Sequence, residues 1–330
     1  MKVSIIGAGS WGSALARILG DNGNDVIMFD LDEETILSIN LSHTTPKLPN
    51  GKLPLNFLGT TNINVALENE VIILCVPTKA LRSVLKDINK IIKTPKLFVN
   101  ASKGIEPDSL KRVSEIVKEE INGNLIKGYV ALYGPTHAEE VIEQKLTLAC
   151  SCSENSEHAK LIQSIFNNCD YFRVYSSNDL IGAEVCGAIK NVYAIASGVL
   201  HGLGYGDNAK AGLITRALLE IKKIVVKLGG NESSITSLTC IGDLIATCIS
   251  HHSRNFQAGV KLAEGKDITE AQNSISMVVE GVRTAEAIHE LCLKLNLDCP
   301  IIEAIYKVLN KQDAKTIIKE LMNRPISQEF

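Results

Sequence analysis

Long hydrophobic segments are absent from this sequence. Its longest apolar runs, such as residues 71–76, have the length of a strand and are far shorter than a membrane span requires. Glycines interrupt the apolar residues of the first segment, MKVSIIGAG, so it does not match a secretory signal. We therefore expect a cytoplasmic protein with no transmembrane segment.

Metal-binding motifs are also missing. The nine cysteines include no CxxC pair, and Cys150 and Cys152 are too closely spaced for the usual zinc pattern. The adjacent His251 and His252 have no carboxylate or cysteine at metal-ligand spacing. We expect reduced thiols and no metal site.

The chain has little net charge. Its formal charge of -3 argues against general electrostatic binding to nucleic acid. The composition, 45% hydrophobic and 22% charged, is that of a globular protein. A length of 330 residues accommodates two domains.

Strand-like runs alternate with helical patterns in the first half of the chain. Apolar and β-branched residues predict strands at 2–6, 25–29, 71–76, 97–100, 129–132, 146–151 and 171–175. Helical periodicity lies between most of them, for example at 80–92, 109–121 and 156–167. This alternation predicts an α/β domain over residues 1–178, doubly wound around a mainly parallel sheet. From 179 to 330 only helical periodicity remains, which predicts a second, all-helical domain.

Gly7, Gly9 and Gly12 form a G-x-G-x-x-G motif between the first strand and the first helix. Gly7 permits a tight turn, Gly9 lets a pyrophosphate approach the backbone, and Gly12 allows close packing of helix on strand. Free N–H groups and the helix dipole then receive the phosphates. The motif predicts a Rossmann-type site for NAD or NADP, with a plain strand-to-helix turn as the alternative.

Asp30 ends the second predicted strand about 20 residues after the glycines, where an acidic side chain accepts hydrogen bonds from the adenosine ribose. A carboxylate at this position repels the additional phosphate of NADP. A solvated charge or a helix cap is the alternative, because Asp32, Glu33 and Glu34 follow.

Three loops follow predicted strands at the edge of the sheet where ligands bind in such folds. They contain Val76-Pro77, Lys103 beside a glycine, and Gly134-Pro135-Thr136. Lys103 suits an anionic substrate, and Gly134 and Thr136 offer backbone and hydroxyl groups. Taken alone, each loop is more typical of an ordinary turn without a function.

Lys190 lies in a small, apolar helical stretch of the second predicted domain. Burial of a lysine costs free energy unless a partner or a function compensates, and a desolvated lysine exchanges protons near neutral pH. Asp243, also among apolar neighbours, is a candidate partner. Ser253, Arg254 and Asn255 present a hydroxyl, a guanidinium and an amide together, which suits phosphate.

Nine stretches of the chain, taken in order, match one known family. They are GAGSWGSALA (7–16), ASKG (101–104), GPTHA (134–138), FRVYSSND (172–179), GAIKNVYAIASG (187–198), GDNAKAGLITRALLE (206–220), GDLIATC (242–248), SRN (253–255) and VVEG (278–281). With these stretches the sequence resembles, nearly from end to end, bacterial NAD(P)-dependent glycerol-3-phosphate dehydrogenase. Any one could arise by chance, whereas the ordered set is highly specific.

The resemblance implies hydride transfer between NAD(P)(H) and the pair dihydroxyacetone phosphate and sn-glycerol 3-phosphate, which would supply phospholipid synthesis. It makes Lys190 the proton-transfer lysine, held by Asp243, with Lys103 orienting the substrate. The implied substrate-binding residues are Lys103, Gly134, Thr136, Lys190, Asn191, Asp243, Thr247, Ser253, Arg254 and Asn255. The cofactor-binding residues, including those of the glycine motif, are Gly7, Gly9, Ser10, Trp11, Gly12, Asp30, Lys103, Ala138, Arg254, Val278 and Glu280.

Two questions stay open at this level. Many bacterial relatives have a basic or neutral group around position 31, whereas this chain has Asp30-Leu31, so the choice between NAD and NADP is not fixed. A dehydrogenase of the β-hydroxyacid type, acting on a carboxylate, and a non-catalytic dinucleotide sensor are the competing functions. The sequence is compatible with a homodimer but does not determine the oligomeric state.

Overall fold

The computed structural model describes residues 1–168, 170–275, 279–326 and 328. Over these residues, eight strands form one sheet in the order β3-β2-β1-β4-β5-β6-β7-β8. Every pairing is parallel except that of β6 with β7. The strands are β1 (Lys2–Ile6), β2 (Asp25–Phe29), β3 (Phe57–Thr60), β4 (Val71–Leu74), β5 (Lys96–Asn100), β6 (Ile126–Tyr133), β7 (Thr147–Cys152) and β8 (Phe172–Ser177).

Helices cover both faces of this sheet. They are α1 (Ser10–Asp21), α2 (Glu33–Ser42), α3 (Ile63–Ala66), α4 (Thr78–Ile91), α5 (Val113–Glu120), α6 (Ala138–Ile142) and α7 (Ser156–Phe166). The central strands are buried on both sides, which is why they read as nearly continuous Val, Ile and Leu runs. The strand order reverses between β1 and β4, and this switch point creates the crevice in which α/β sheets bind ligands.

The remainder of the described chain is helical. Its α-helices are α8 (Leu180–Gly202), α9 (Asp207–Lys227), α10 (Asp243–Ile249), α11 (Arg254–Ala263), α12 (Ile268–Ile275), α13 (Glu280–Lys294), α14 (Pro300–Leu309) and α15 (Ala314–Met322). The residues Leu238–Gly242 form a π-helical turn that leads directly into α10.

Helix α8 is the centre of this helical part. Its glycines allow close backbone contact: a Cβ on Gly198 would lie 2.0 Å from the Phe256 carbonyl oxygen of α11. Among the described residues, α8 is the one helix long and apolar enough to cross a membrane, and 94% of its apolar window is buried inside the protein. Its hydrophobicity therefore fits a core helix.

A buried carboxylate on α8 ties the helical part to the sheet part. Glu184 accepts hydrogen bonds from Arg112 Nη1 (2.8 Å), from the backbone N–H (2.8 Å) and hydroxyl (2.5 Å) of Ser114, and from the Tyr129 hydroxyl (2.8 Å). Burial raises the pKa of Glu184, while Arg112 and the hydrogen bonds oppose that shift. The group is fully paired, as a buried charge requires.

The predicted mainly parallel sheet and the helical second half are both present, and one strand is new. The short edge strand β3 contains a glycine and has one exposed face, so its sequence carries little periodicity. Asn40 of α2 covers the free side of this edge, because its amide donates to the Gly59 carbonyl (2.9 Å) and accepts from the Gly59 N–H (2.7 Å).

Candidate active site

Loops at the carboxyl edge of the sheet meet the helical part. The loops after β1, β4, β5 and β6 carry the glycine motif, Val76-Pro77, Lys103 and Gly134 respectively. Three residue pairs at this edge are hydrogen-bonded to α10 and α13, namely Lys103 with Asp243, Thr78 with Glu280 and His137 with Ala246.

A buried cluster of two lysines and one carboxylate lies at this junction. Lys190 Nζ donates to Asp243 Oδ1 at 2.5 Å and to Thr247 Oγ1 at 2.7 Å. Lys103 Nζ donates to the other oxygen, Asp243 Oδ2, at 2.7 Å. Only 2% of the Asp243 side chain is exposed, compared with 8% for Lys190 and 14% for Lys103. The two ammonium groups therefore lie side by side in a poorly solvated pocket.

The pKa of Lys190 is lowered to about 8. Burial is the largest cause, because it disfavours the charged form; the Asp243 carboxylate opposes it, and the Lys103 charge reinforces it. An amine with this pKa can both donate and accept a proton near neutral pH.

The loop after β6 positions Lys103. The Gly134 carbonyl accepts a hydrogen bond from Lys103 Nζ at 3.2 Å and another from Thr136 Oγ1 at 3.2 Å. Gly134 has φ +153°, and a Cβ there would lie 2.9 Å from the Leu148 carbonyl oxygen, so the position requires glycine.

Two supporting residues were not identified from the sequence. Asn100 Nδ2 donates to the Ser102 carbonyl, and the Tyr133 hydroxyl donates to the same carbonyl at 2.8 Å. Lys103 Nζ also lies 5.8 Å from the centroid of the Tyr133 ring. Asn100 ends a predicted strand and Tyr133 directly follows another, and both are buried, but residues at strand ends are too common for this position to have identified them.

His137 is a further neighbour of the cluster. Its Nε2 lies 3.3 Å from the Ala246 carbonyl on α10, one turn from Asp243. Burial, followed by the Lys190 charge, lowers the pKa of His137, so the ring is neutral at pH 7 and Nε2–H donates. The sequence showed this histidine beside the Gly134 loop but not its link to α10.

The glycine motif has the geometry of a phosphate-binding turn. A Cβ on Gly7 (φ +109°) would lie 2.8 Å from the Cys75 carbonyl oxygen, and one on Gly12 would lie 2.0 Å from the Gly7 carbonyl oxygen. Gly9, by contrast, faces open space, with no atom of the described residues within 4 Å of its Cβ position. Ser10 begins α1, and its hydroxyl donates to the Lys47 carbonyl at 3.2 Å.

The Asp30 side chain is hydrogen-bonded to this motif. One carboxylate oxygen accepts the Ala8 N–H at 2.7 Å, and the other accepts the Asp32 N–H at 3.1 Å. The helix cap of α2 is Asp32 and not Asp30, since Asp32 accepts from the Thr35 N–H. Asp30 therefore holds the glycine turn against the end of β2.

The three residues at the start of α11 have separate tasks. The Ser253 hydroxyl caps the helix by accepting the Phe256 N–H at 3.3 Å. Asn255 Oδ1 accepts the Gly281 N–H of α13 at 2.9 Å. Arg254 is the first residue of the helix, and Asn191 lies next to Lys190 on α8, 7% exposed.

The predicted cofactor residues outside the glycine motif are spread around the crevice. Ala138 is the buried first residue of α6. Glu280, the first residue of α13, accepts hydrogen bonds from the Thr78 hydroxyl (2.6 Å) and N–H (3.3 Å). Val278 lies outside the described residues.

The crevice fits a dinucleotide. Gly9 leaves room for a phosphate at the start of α1. Trp11 packs against an apolar core of the sheet domain, and its buried indole N–H has no hydrogen-bond partner among the described residues. Within the described ranges, no group of three or more His, Cys, Asp or Glu side chains could hold a metal ion.

Family models match almost all of the chain. The amino-terminal and carboxyl-terminal models of NAD-dependent glycerol-3-phosphate dehydrogenase match residues 2–159 and 179–319. The chain belongs to this family.

Relatives over the whole length agree with this assignment. The NAD(P)+ glycerol-3-phosphate dehydrogenase of Acholeplasma laidlawii is 45% identical, with 100% of this chain and 99% of the relative covered. The corresponding protein of Bacillus thuringiensis is 46% identical over 98% of this chain and 96% of its own length. The crystal structure of glycerol-3-phosphate dehydrogenase from Coxiella burnetii has a TM-score of 0.92 at 31% identity, covering 98% and 99% of the two chains.

The fold extends beyond the family. A ketopantoate reductase of the PanE/ApbA family from Ralstonia eutropha has a TM-score of 0.62 at 14% identity, which shows a shared fold alone. The similarity to glycerol-3-phosphate dehydrogenases is much higher, at 45% and 46% identity over nearly the whole chain.

Proposed function

We propose that the protein interconverts dihydroxyacetone phosphate and sn-glycerol 3-phosphate with NAD(H) or NADP(H). The observation that carries the proposal is the buried Lys190–Asp243–Lys103 cluster beside the dinucleotide crevice. A non-catalytic sensor would not need a desolvated lysine paired in this way, since burying it costs free energy.

Lys190 is the proton donor in the reductive direction. When bound, the nicotinamide supplies the hydride that reaches C2 of dihydroxyacetone phosphate. Lys190 protonates the oxygen on that carbon, and in the oxidative direction its neutral amine removes the proton from the C2 hydroxyl. Asp243 and Thr247 hold the amine in place, with contacts of 2.5 and 2.7 Å.

Lys103 and Arg254 orient the substrate. The Lys103 ammonium, fixed by Asp243 and the Gly134 carbonyl, stabilises negative charge on the substrate oxygens. Arg254, beside the cap of α11, binds the phosphate through its planar guanidinium and also borders the cofactor. Binding the phosphate away from the reacting carbon positions that carbon for hydride transfer.

The remaining assignments follow from this role. We place the dinucleotide-binding domain at residues 1–178 and the helical substrate domain at 179–330, in the cytoplasm. Gly7, Gly9, Ser10, Trp11, Gly12, Asp30, Ala138, Val278 and Glu280 would border the dinucleotide. Gly134, Thr136, Asn191, Thr247, Ser253 and Asn255 would border the substrate. The product would supply phospholipid synthesis.

Oxidation of NADH and of NADPH with dihydroxyacetone phosphate tests the proposal. Absorbance at the reduced nicotinamide band should fall only when the phosphorylated ketone is present. Ketopantoate and other 2-ketoacids, offered at equal concentration, test the alternative. Turnover of a 2-ketoacid without turnover of dihydroxyacetone phosphate would overturn the proposal.

We also propose that the protein is a homodimer. A groove of about 1690 Å³ runs between α9, α14 and α15, with apolar residues such as Leu213, Ile318 and Met322 in its lining. The first half of α9 is largely exposed, although it contains Ala211, Gly212 and Leu213. A second copy that packs its own α9 into this groove would bury these residues.

Sedimentation velocity checks the dimer. Met322 is 81% exposed and lines the groove, so Met322→Glu should shift the protein toward the monomer. Leu146, 78% exposed and outside the groove lining, gives the matched control Leu146→Glu, which should stay dimeric. A monomer at micromolar concentration in the unmodified protein would refute the dimer.

A further inference from the structure

The start of helix α4 lacks a cap from its own segment. Its N-cap residue is Pro77, which makes no side-chain hydrogen bond to the helix. The missing acceptor comes from a residue 202 positions away: Glu280 accepts both the hydroxyl (2.6 Å) and the N–H (3.3 Å) of Thr78. A carboxylate is favoured here, because the N-terminus of a 14-residue helix carries partial positive charge.

Thr78 also touches the loop that carries Lys103. A Cβ on Gly104 would lie 2.8 Å from Thr78 Cγ2 and 3.2 Å from its hydroxyl oxygen. The same loop is fastened to the end of β4, since the Ser102 hydroxyl donates to the Val76 carbonyl at 2.6 Å. The loops after β4 and β5 therefore pack against one threonine side chain.

The first turn of α13 reaches the substrate side as well. Gly281, next to Glu280, donates its N–H to Asn255 Oδ1 on α11 at 2.9 Å. A Cβ on Gly281 would lie 2.6 Å from that Asn255 oxygen and 2.7 Å from the Asn191 carbonyl oxygen. This turn is thus wedged between the helices that carry Lys190 and Arg254.

We propose that Thr78 is a positioning residue that couples the dinucleotide and substrate subsites through Glu280. The inference rests on the proposed function, since it requires both ligands to bind here. The chain of contacts runs from Asn255 through Gly281 and Glu280 to Thr78, and from Thr78 to the loop that carries Lys103. When one ligand orders the residues at one end of this series of contacts, less conformational entropy remains to be lost when the second ligand orders the other end.

Coupling between two ligands is reciprocal and can be measured as a ratio of affinities. NADH and glycerol 3-phosphate are both reduced, so they bind together without reacting. Energy transfer from Trp11, the one tryptophan of the sequence, to NADH gives the binding signal. In the unmodified protein we expect saturating glycerol 3-phosphate to tighten NADH binding on the order of tenfold.

Thr78→Val removes the hydroxyl and should reduce the factor by which glycerol 3-phosphate tightens NADH binding to about twofold or less. The variant should change kcat less than the KM for NADH. Thr78→Ser keeps the hydroxyl and should restore the factor. The matched control is Thr316→Val in α15: the Thr316 N–H and hydroxyl both donate to Asp313 at 2.8 Å, in a helix outside the site. This control should retain the full factor.

Three results would overturn the role of Thr78. They are an unchanged factor in Thr78→Val, an equal loss in Thr316→Val, and no effect of glycerol 3-phosphate on NADH binding in the unmodified protein. If Thr78→Val loses its circular dichroism signal, Thr78→Ala serves as the second variant. Turnover of dihydroxyacetone phosphate by the unmodified protein is recorded in parallel, so a failure of the proposed function is recognised separately.

Discussion

Lys190 and Lys103 donate to opposite oxygens of the same buried carboxylate, at 2.5 and 2.7 Å. One negative charge thus faces two positive charges in a pocket with little solvent. The excess positive charge favours an anionic ligand, because attraction between charges is strongest where water is excluded. It also favours loss of the proton from one of the two amines.

Replacement of Lys190 separates chemistry from folding. Lys190→Ala should retain the circular dichroism spectrum and NADH affinity, while kcat falls about 10²–10⁴-fold, the usual loss when one positioned acid–base group is removed. Lys96, another buried lysine, donates to the backbone carbonyls of Glu68 and Asn69 and supplies the control Lys96→Met. A folded Lys190→Ala protein with normal turnover would remove this lysine from the mechanism.

The pH dependence follows from the lowered pKa of Lys190, about 8. The protonated amine is the donor for ketone reduction, so kcat/KM for dihydroxyacetone phosphate should fall as pH rises through 8. Oxidation of glycerol 3-phosphate needs the neutral amine, so its kcat/KM should rise over the same range. Profiles in both directions check the sign; parallel profiles would contradict the assignment.

Much of the fold could be predicted because its strands and helices carry clear periodicity. The seven strands that the sequence predicted have counterparts within a few residues, since their cores are continuous apolar runs. Strand β3 was not predicted, because its four residues, FLGT, are too few to show the alternation of a strand. The antiparallel β6–β7 pair could not be predicted either, because strand direction depends on how the connection crosses the sheet.

The site was predictable in its residue types and in one of its contacts. The pairing of Lys190 with Asp243 followed from a charge placed among apolar neighbours, and the structure joins them at 2.5 Å. Thr78 and Tyr133 carried no such signal, because a threonine after Pro77 and a tyrosine ending a strand are ordinary features. Their importance depends on residues far apart in sequence, such as Glu280, which only the tertiary structure brings near.

Asp30 offers a test of cofactor choice. Asp30→Ser should shift preference toward NADP(H), because the carboxylate no longer repels the 2′-phosphate. It should also weaken NADH binding, since the Ala8 N–H loses its acceptor at 2.7 Å. Asp25→Asn, at the exposed opposite end of β2, is the control and should leave the ratio of kcat/KM for NADPH and NADH unchanged. If Asp30→Ser leaves that ratio unchanged too, the placement of the ribose at Asp30 is wrong.

Substitution of Arg254 distinguishes specific hydrogen bonding to the substrate phosphate from general charge attraction. Arg254→Lys should raise the KM for dihydroxyacetone phosphate, because a lysine cannot make two parallel hydrogen bonds to phosphate. Arg254→Ala should depress kcat/KM severely with dihydroxyacetone phosphate and much less with dihydroxyacetone, itself a poor substrate. Since Arg254 also borders the dinucleotide, NADH affinity is measured by a separate titration. Equal losses with both substrates would refute this specific hydrogen bonding.

The Glu184 network has a consequence for how the protein melts. Separation of the sheet part from α8 would break the four hydrogen bonds that the Glu184 carboxylate accepts from Arg112, Ser114 and Tyr129. Separation would exchange these hydrogen bonds for bonds to water and would expose the apolar surface that α8 shares with the sheet, so we expect each half to be less stable without the other. Scanning calorimetry should therefore record one cooperative heat-absorption peak. Glu184→Ala should divide this peak into two or sharply lower its transition temperature. We therefore expect the protein to unfold as a single thermodynamic unit in spite of its two architectures.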